Sequence, residues 1–238
     1  GKVTADVQAE QVNTGIQMAT APFGGGADAD VIGGIQIQNV TKRWDTTEGV
    51  RVAVDNMSLN VKKGEITVLL GHNGAGKTTT MSMMTGLYPP SEGSVKINGH
   101  DLSTDIDKAR ESLGLCPQFD VIWKTLTVKA HLELYCQLKG ITDAALVQSE
   151  VAVFLKDLNL VDKANTKAAK LSGGQKRCLS CSMALIGQSQ VVILDEPTSG
   201  MDPEKRRLTW KLLAKHRAGR TILFTTHFMD EADLLGDR

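Results

Sequence analysis

An α/β fold is predicted by three observations in this 238-residue chain. Gly71-His-Asn73-Gly74-Ala75-Gly76-Lys77-Thr78 fills every fixed position of the phosphate-loop pattern G-x-x-x-x-G-K-[ST], between a strand-like and a helix-like run. Strand and helix signals alternate along the C-terminal part, as they do around a parallel sheet. Ahead of the loop, apolar and polar residues alternate as in half-buried antiparallel strands. The expected architecture is a P-loop NTPase core with a mostly parallel sheet, an N-terminal antiparallel β subdomain and an inserted α-helical subdomain.

The elements follow in order. Residues 1–34 are small and polar, with glycines at 24–26 and 33–34 and no sustained apolar period, and read as a flexible leader or linker. Residues 35–238 form the expected domain. Ile35-Gln-Ile37-Gln38, Val50 to Val54 and Met57 to Val61 are the antiparallel strands. Ile66 to Leu70, β-branched and apolar, is the strand entering the phosphate loop, and Thr78 to Thr85 begins the helix leaving it. Val95-Lys-Ile97 is a further strand. Val128 to Leu138 and Ala144 to Leu158 have helical spacing and place the inserted helical subdomain at about 119–185. Val191 to Leu194 and Thr221 to Thr225 are strands, with a helix from Pro203 to Arg217 between them.

Chemistry concentrates at two of these places. In the loop, glycines let the backbone wrap closely, so that N–H groups and a helix N-terminus face phosphate oxygens while Lys77 adds a full positive charge. The candidate nucleotide-binding set is Gly71, Asn73, Gly74, Ala75, Gly76, Lys77, Thr78 and Thr79, with ATP or GTP as ligand and the Thr78 hydroxyl offered to Mg²⁺. Val191-Val-Ile-Leu-Asp195-Glu196 is a buried-strand run ending in two carboxylates. Asp195 is the candidate Mg²⁺ ligand. Glu196, one residue beyond, is the candidate general base for an attacking water.

Leu171-Ser172-Gly173-Gly174-Gln175, with the helical stretch Lys176 to Ile186, resembles the signature of ATP-binding cassette (ABC) proteins. The rest of the family's motif order is present. By this resemblance Gln118, in Cys116-Pro117-Gln118, is the glutamine that contacts Mg²⁺ and the attacking water, and His227, after Thr225-Thr226, touches the γ-phosphate. Lys77, Gln118, Glu196 and His227 are then the catalytic set, and Thr78, Gln118 and Asp195 the metal set. Asp202, in Ser199-Gly200-Met201-Asp202, belongs to the loop facing the opposite cassette, and Trp44 occupies the adenine-stacking position. Ser172 to Gln175 close over the γ-phosphate held by a second nucleotide-binding domain. ATP therefore lies within a dimer interface.

Wording around the motifs is similar to the A subfamily of ABC transporters, over about Ile35 to Arg238: Thr85-Gly-Leu-Tyr-Pro-Pro90, Leu113-Gly-Leu-Cys-Pro-Gln-Phe-Asp120 and Thr226-His-Phe-Met-Asp-Glu-Ala-Asp-Leu-Leu-Gly-Asp-Arg238. It most resembles the first cassette of a full-length lipid transporter, although that cassette often carries Met where this chain has Gln175. The resemblance implies an ATPase at the cytoplasmic face of a membrane, partnered by transmembrane domains that Phe119 to Trp123 would dock. Because family members usually continue beyond the switch histidine, the C-terminal end is expected to be truncated.

Composition fits a soluble fragment. The chain is 41% hydrophobic with formal net charge +0, so it can bury a sizeable core and offers no overall basic footprint for nucleic acid. Lys205-Arg-Arg207 reads as a solvated helix face. No apolar run approaches the roughly 18 residues of a membrane span. The four cysteines fit a reducing compartment, and Cys178 and Cys181 read as helix packing. His72, His100, His131 and His216 read as ordinary surface or packed residues. Two alternatives remain: a soluble ABC ATPase of nucleic-acid or translation function, for which no iron–sulfur cysteine cluster or basic excess is seen, and a non-hydrolysing regulatory module, which should have degraded motifs.

Overall fold

The computed structural model describes residues 16–18, 34–47, 49–72 and 74–237. The leader proposed for residues 1–34 lies outside them except for Gly34 and β1 (Ile16–Met18), which pairs antiparallel with the edge of the larger sheet. β2 (Gly34–Thr46) and β3 (Gly49–Lys62) form a long antiparallel pair, extended by β5 (Glu92–Ile97) and β6 (His100–Asp101) in the order β3-β2-β5-β6, where β4 is Ile66–Gly71 of the other sheet. The two strands expected over Val50 to Val54 and Met57 to Val61 are one. Asp55-Asn56 looks like a turn in sequence, but Asn56 instead takes a positive φ of 42° inside a bulge. Asn56 N–H donates to Thr41 Oγ1 (3.0 Å), and Asn39 Nδ2 to Asn56 Oδ1 (3.0 Å), so the strand continues past the irregularity.

From β4 the chain runs through the phosphate loop into α1 (Lys77–Met84). After β6, a short α2 (Ile106–Glu111) leads into β7 (Leu113–Cys116). The helical insertion is α3 (Val128–Leu138) and α4 (Ala144–Asp157), capped by Thr127 and Asp143, whose side chains accept backbone N–H bonds at the helix starts. Then come α5 (Gly173–Leu185), β8 (Val191–Asp195), α6 (Pro203–Lys215), β9 (Thr221–Thr226) and α7 (Met229–Leu235). The larger sheet is ordered β1-β4-β9-β8-β7, with all but β1 parallel.

Apolar residues on both faces explain the unbroken run Val191 to Leu194. Val191 and Ile193 join Met81, Met83 and Met84 of α1 and the inner face of the antiparallel sheet. Val192 and Leu194 face the opposite way, against Leu179, Met183 and the residues of α3 and α4. The parallel sheet is thus sandwiched between the antiparallel β subdomain with α1 on one side and the helices on the other. Every parallel strand ends at the same rim. Gly71, Cys116, Asp195 and Thr226 are those C-terminal ends, the edge where open α/β sheets bind ligands. Among the described residues no helix is long and apolar enough to cross a membrane.

Candidate nucleotide site

Between β4 and α1 the backbone turns through Gly74 (φ 87°) and Gly76 (φ 90°). A Cβ on Gly76 would sit 2.5 Å from the Ala53 carbonyl of β3, so the loop closes only around glycine there. Helix α1 has no acidic residue in its first turn, leaving its positive end uncompensated for an anion. Lys77 is buried; its Nζ donates to the carbonyls of Gly71 (2.5 Å) and His72 (3.1 Å). Thr78 is exposed in the first turn of the helix, beside the partly exposed Thr79. Asn73 lies outside the described residues.

The carboxylates of β8 arrive from beside this loop. Asp195 and Glu196 are 4% and 8% exposed. Thr225, on the neighbouring β9, links them: its hydroxyl donates to Asp195 Oδ1 (2.6 Å) and accepts from Glu196 N–H (2.9 Å). Glu196 Oε1 lies 3.9 Å from Lys77 Nζ and 3.5 Å from Nδ1 of His227, which is exposed beyond the end of β9. Of the two buried carboxylates, Glu196 has Lys77 within ion-pair reach while Asp195 is met by the Thr225 hydroxyl, so the rim favours an added cation. Oxygen donors dominate it: the Asp195 carboxylate and the Thr78 hydroxyl, with exposed Gln118 two residues beyond β7, fit Mg²⁺ in its preference for oxygen.

Lys77, Asp195, Glu196 and His227 are therefore brought together. The remaining candidates have other immediate neighbours. Ser172 caps α5 in a reciprocal box: its hydroxyl accepts the Gln175 N–H (3.3 Å), and Gln175 Oε1 accepts the Ser172 N–H (3.1 Å). Gln175 also lies within reach of Lys163 (3.4 Å), while Ser172 and Gly173 are exposed at the helix tip and Gly174 sits partly covered behind them. Asp202 is the N-cap of α6, accepting from Lys205 N–H (3.0 Å). Trp44 meets Tyr88 edge-on at 5.2 Å, and Lys42 Nζ sits 4.5 Å from its ring centre.

Several charged and polar side chains depart from their sequence readings. Arg206 is not on a solvated face: it donates to the fully buried Glu231 and lies 4.3 Å from the Phe228 ring centre. Glu231 also accepts from Thr198 (2.5 Å) and Thr226 (2.7 Å), binding the turn after β8 to the turn carrying His227. His131 and His216 have partners: buried His131 accepts from Trp123 N–H (3.1 Å), and His216 pairs with Asp157 (2.8 Å). Cys181 packs 3.8 Å from Cys116 across the β7–α5 contact. Neither Glu231 nor Thr225 was foreseen, because a buried hydrogen-bond hub has no sequence spacing of its own.

Loop, twin carboxylates and histidine on one sheet rim define a P-loop nucleotide-binding cassette. A profile of the ABC transporter family matches residues 54–199. The chain belongs to the ABC transporter family. It is 52% identical to the human phospholipid-transporting ATPase ABCA3 over 209 residues, covering 88% of this chain and 12% of that protein. It is 49% identical to the retinal-specific phospholipid-transporting ATPase ABCA4 of Mus musculus, covering 87% of this chain and 9% of that protein. The dimeric bacterial ABC transporter cassette MJ0796 superposes with a TM-score of 0.77 at 28% identity, over 85% of this chain and 91% of that one. The same cassette is also known in a dimeric post-hydrolysis state bound to ADP and Pi, superposing with a TM-score of 0.76. The chain spans about one eighth of the curated relatives' length or less.

Proposed function

We propose that this cassette binds and hydrolyses Mg-ATP, and that it pairs with a second cassette to drive a lipid-transporting membrane protein. The observation that carries the reading is the convergence of Lys77, Asp195, Glu196 and His227 at the mouth of the phosphate loop. The loop N–H groups and Lys77 hold the phosphates, and Trp44 stacks on the adenine. Mg²⁺, held by Thr78, Asp195 and Gln118, supplies charge neutralisation on the phosphate oxygens when bound. Glu196 takes a proton from water as the water oxygen bonds to the γ-phosphorus and the bond to the β-phosphate oxygen breaks, leaving ADP and phosphate. His227, beside Glu196, stabilises the charge that develops.

Pairing is supported by the exposed signature. Ser172 and Gly173 are exposed at the capped N-terminus of α5, and the fold is that of a cassette known as a dimer. Asp202, the N-cap of α6, lies beside the signature: a Cβ on Gly174 would come 3.7 Å from its Oδ2. Exposed Phe119 (79%) and Trp123 (47%), next to Gln118, are the edge proposed to dock transmembrane domains, which would place the cassette at the cytoplasmic face of a multi-pass protein. The names of the A-subfamily relatives support a lipid cargo.

Two substitutions test the chemistry. Lys77→Ala should weaken Mg-ATP binding at least about tenfold, since charge-assisted phosphate contacts are strong. Glu196→Gln should keep ATP affinity and lose turnover. Unchanged affinity in the first, measured by titration with a fluorescent ATP analogue, or wild-type turnover in the second, would overturn the site.

A further inference from the structure

The geometry points to Arg177 as a positioning residue that holds the turn bearing Glu196 and ties it to the signature helix and to the residues flanking Gln118. This rests on the reading of Glu196 as the base. Arg177 lies in the second turn of α5, whose first turn displays the signature, yet its side chain runs inward and is 5% exposed. Its guanidinium is divided between two chain segments. Nη2 donates to the carbonyls of Asp195 (2.5 Å) and Glu196 (3.0 Å), and Nε to that of Pro197 (3.2 Å). Nη1 donates to the Pro117 carbonyl (2.5 Å) and to Asp120 Oδ1 (3.3 Å). All three nitrogens are engaged.

The turn needs such a grip. Glu196 has a φ of 45°, in the left-handed region that side-chain-bearing residues rarely occupy and that persists only where surroundings impose it. In that conformation three successive carbonyls, from Asp195 to Pro197, point into the protein, and buried carbonyls without donors are costly. Arg177 answers all three. Ser199 N–H (3.2 Å to the Glu196 carbonyl) and Cys181 Sγ (3.8 Å to that of Pro197) add further donors. On the outer side, Glu196 N–H is fixed by Thr225. With carbonyls held inside and the amide held by β9, the Cα–Cβ bond has one direction left, toward His227 and Lys77.

A lysine could not replace this fork, because one ammonium cannot span two segments in the plane a guanidinium covers. The hydrogen bonds of the Arg177 guanidinium run to the end of β8 and to residues flanking Gln118, not to the phosphate loop. Arg177 acts through the backbone of Glu196 and joins three functional segments: the signature helix, the residues flanking Gln118 and the end of β8. A movement of Pro117 to Asp120 or of α5 would thereby reach the base.

The test compares Arg177→Lys and Arg177→Met with Glu196→Gln in this chain. ATP affinity, kcat and KM are measured, with amide hydrogen exchange at residues 196–201 against β4 as an internal control. We expect both Arg177 variants to bind ATP within about threefold of wild type and to lose at least about tenfold in kcat, a split that marks a transition-state loss. Exchange at 196–201 should accelerate while β4 stays protected, and lysine should not rescue either readout. Wild-type kcat in either variant, rescue by lysine, or a joint fall of affinity, kcat and β4 protection would overturn the inference. If Arg177→Met fails to fold, Arg177→Lys, which keeps stem and charge, decides. Should Glu196→Gln itself turn over normally, the base assignment falls, whereas exchange at 196–201 still decides whether Arg177 holds the turn.

Discussion

Asp157 illustrates how single side chains join the helical insertion to the core. It lies at the end of α4 and accepts from Lys215 Nζ (2.6 Å) and bonds His216 Nε2 (2.8 Å) at the end of α6, while the His216 ring stacks on Phe154 at 4.5 Å. Burial by itself would raise the Asp157 carboxyl; the bonds from Lys215 and His216 outweigh it and hold the group below the ordinary carboxylate value. The sign follows from linkage. A carboxyl with a depressed folded pKa stabilises the fold fully above its unfolded value, about 3.9, and loses that contribution as pH falls through the folded value. Asp157→Asn should therefore melt several degrees lower than wild type near neutral pH, and the gap should close as pH drops below about 4. Thermal melts across that range check it. A gap independent of pH would mean that Asp157 acts through shape rather than charge.

At the scale of elements, β7 and α5 pack closely. Gly114 is the only residue type their spacing allows, since a Cβ there would lie 1.8 Å from the Ala184 carbonyl and 2.9 Å from Ser189 Oγ. Because the obstacle is backbone, Gly114→Ala should push α5 away from the sheet and destabilise the fold by about 1–3 kcal/mol or more, read by denaturant unfolding. A loss under about 0.5 kcal/mol would show that the packing yields. The same strand marks where sequence reading ran out. Helices α3 and α4 and strands β8 and β9 were legible because period and apolar content survive in isolation. In Leu113-Gly-Leu-Cys116, by contrast, glycine interrupts the pattern, and its need is set by a helix some seventy residues later. The joined β3 was misread for a related reason, as the bulge at Asn56 depends on partners in β2. In the site, the loop, the carboxylates and the histidine each stood at fixed positions in short motifs. Arg177, Arg206 and Glu231 did not, because a charged residue reads as exposed until tertiary contacts bury it.

At the scale of the whole molecule, the described chain assembles half of what the proposed chemistry requires. The phosphate loop, Asp195, Glu196 and His227 lie on one rim, while Ser172 to Gln175 stand on another element, with Ser172 and Gly173 exposed and Gln175 in contact with Lys163 and its own helix. A second cassette would bring its own signature to this rim and receive this one at its own. ATP then binds the dimer more tightly than the monomer, so assembly should rise with both nucleotide and protein concentration by mass action. Glu196→Gln removes a negative charge beside the γ-phosphate and stops its consumption, which should let the assembled state accumulate. Ser172→Arg, added to it, places bulk where the partner's nucleotide would sit and leaves the chain's own loop intact. The most direct measurement is sedimentation of Glu196→Gln with and without Mg-ATP over a range of concentrations: the account requires monomer without ATP, dimer with it, and monomer again once Ser172→Arg is added, whereas a Glu196→Gln chain that stays monomeric with ATP at the highest concentration would contradict it.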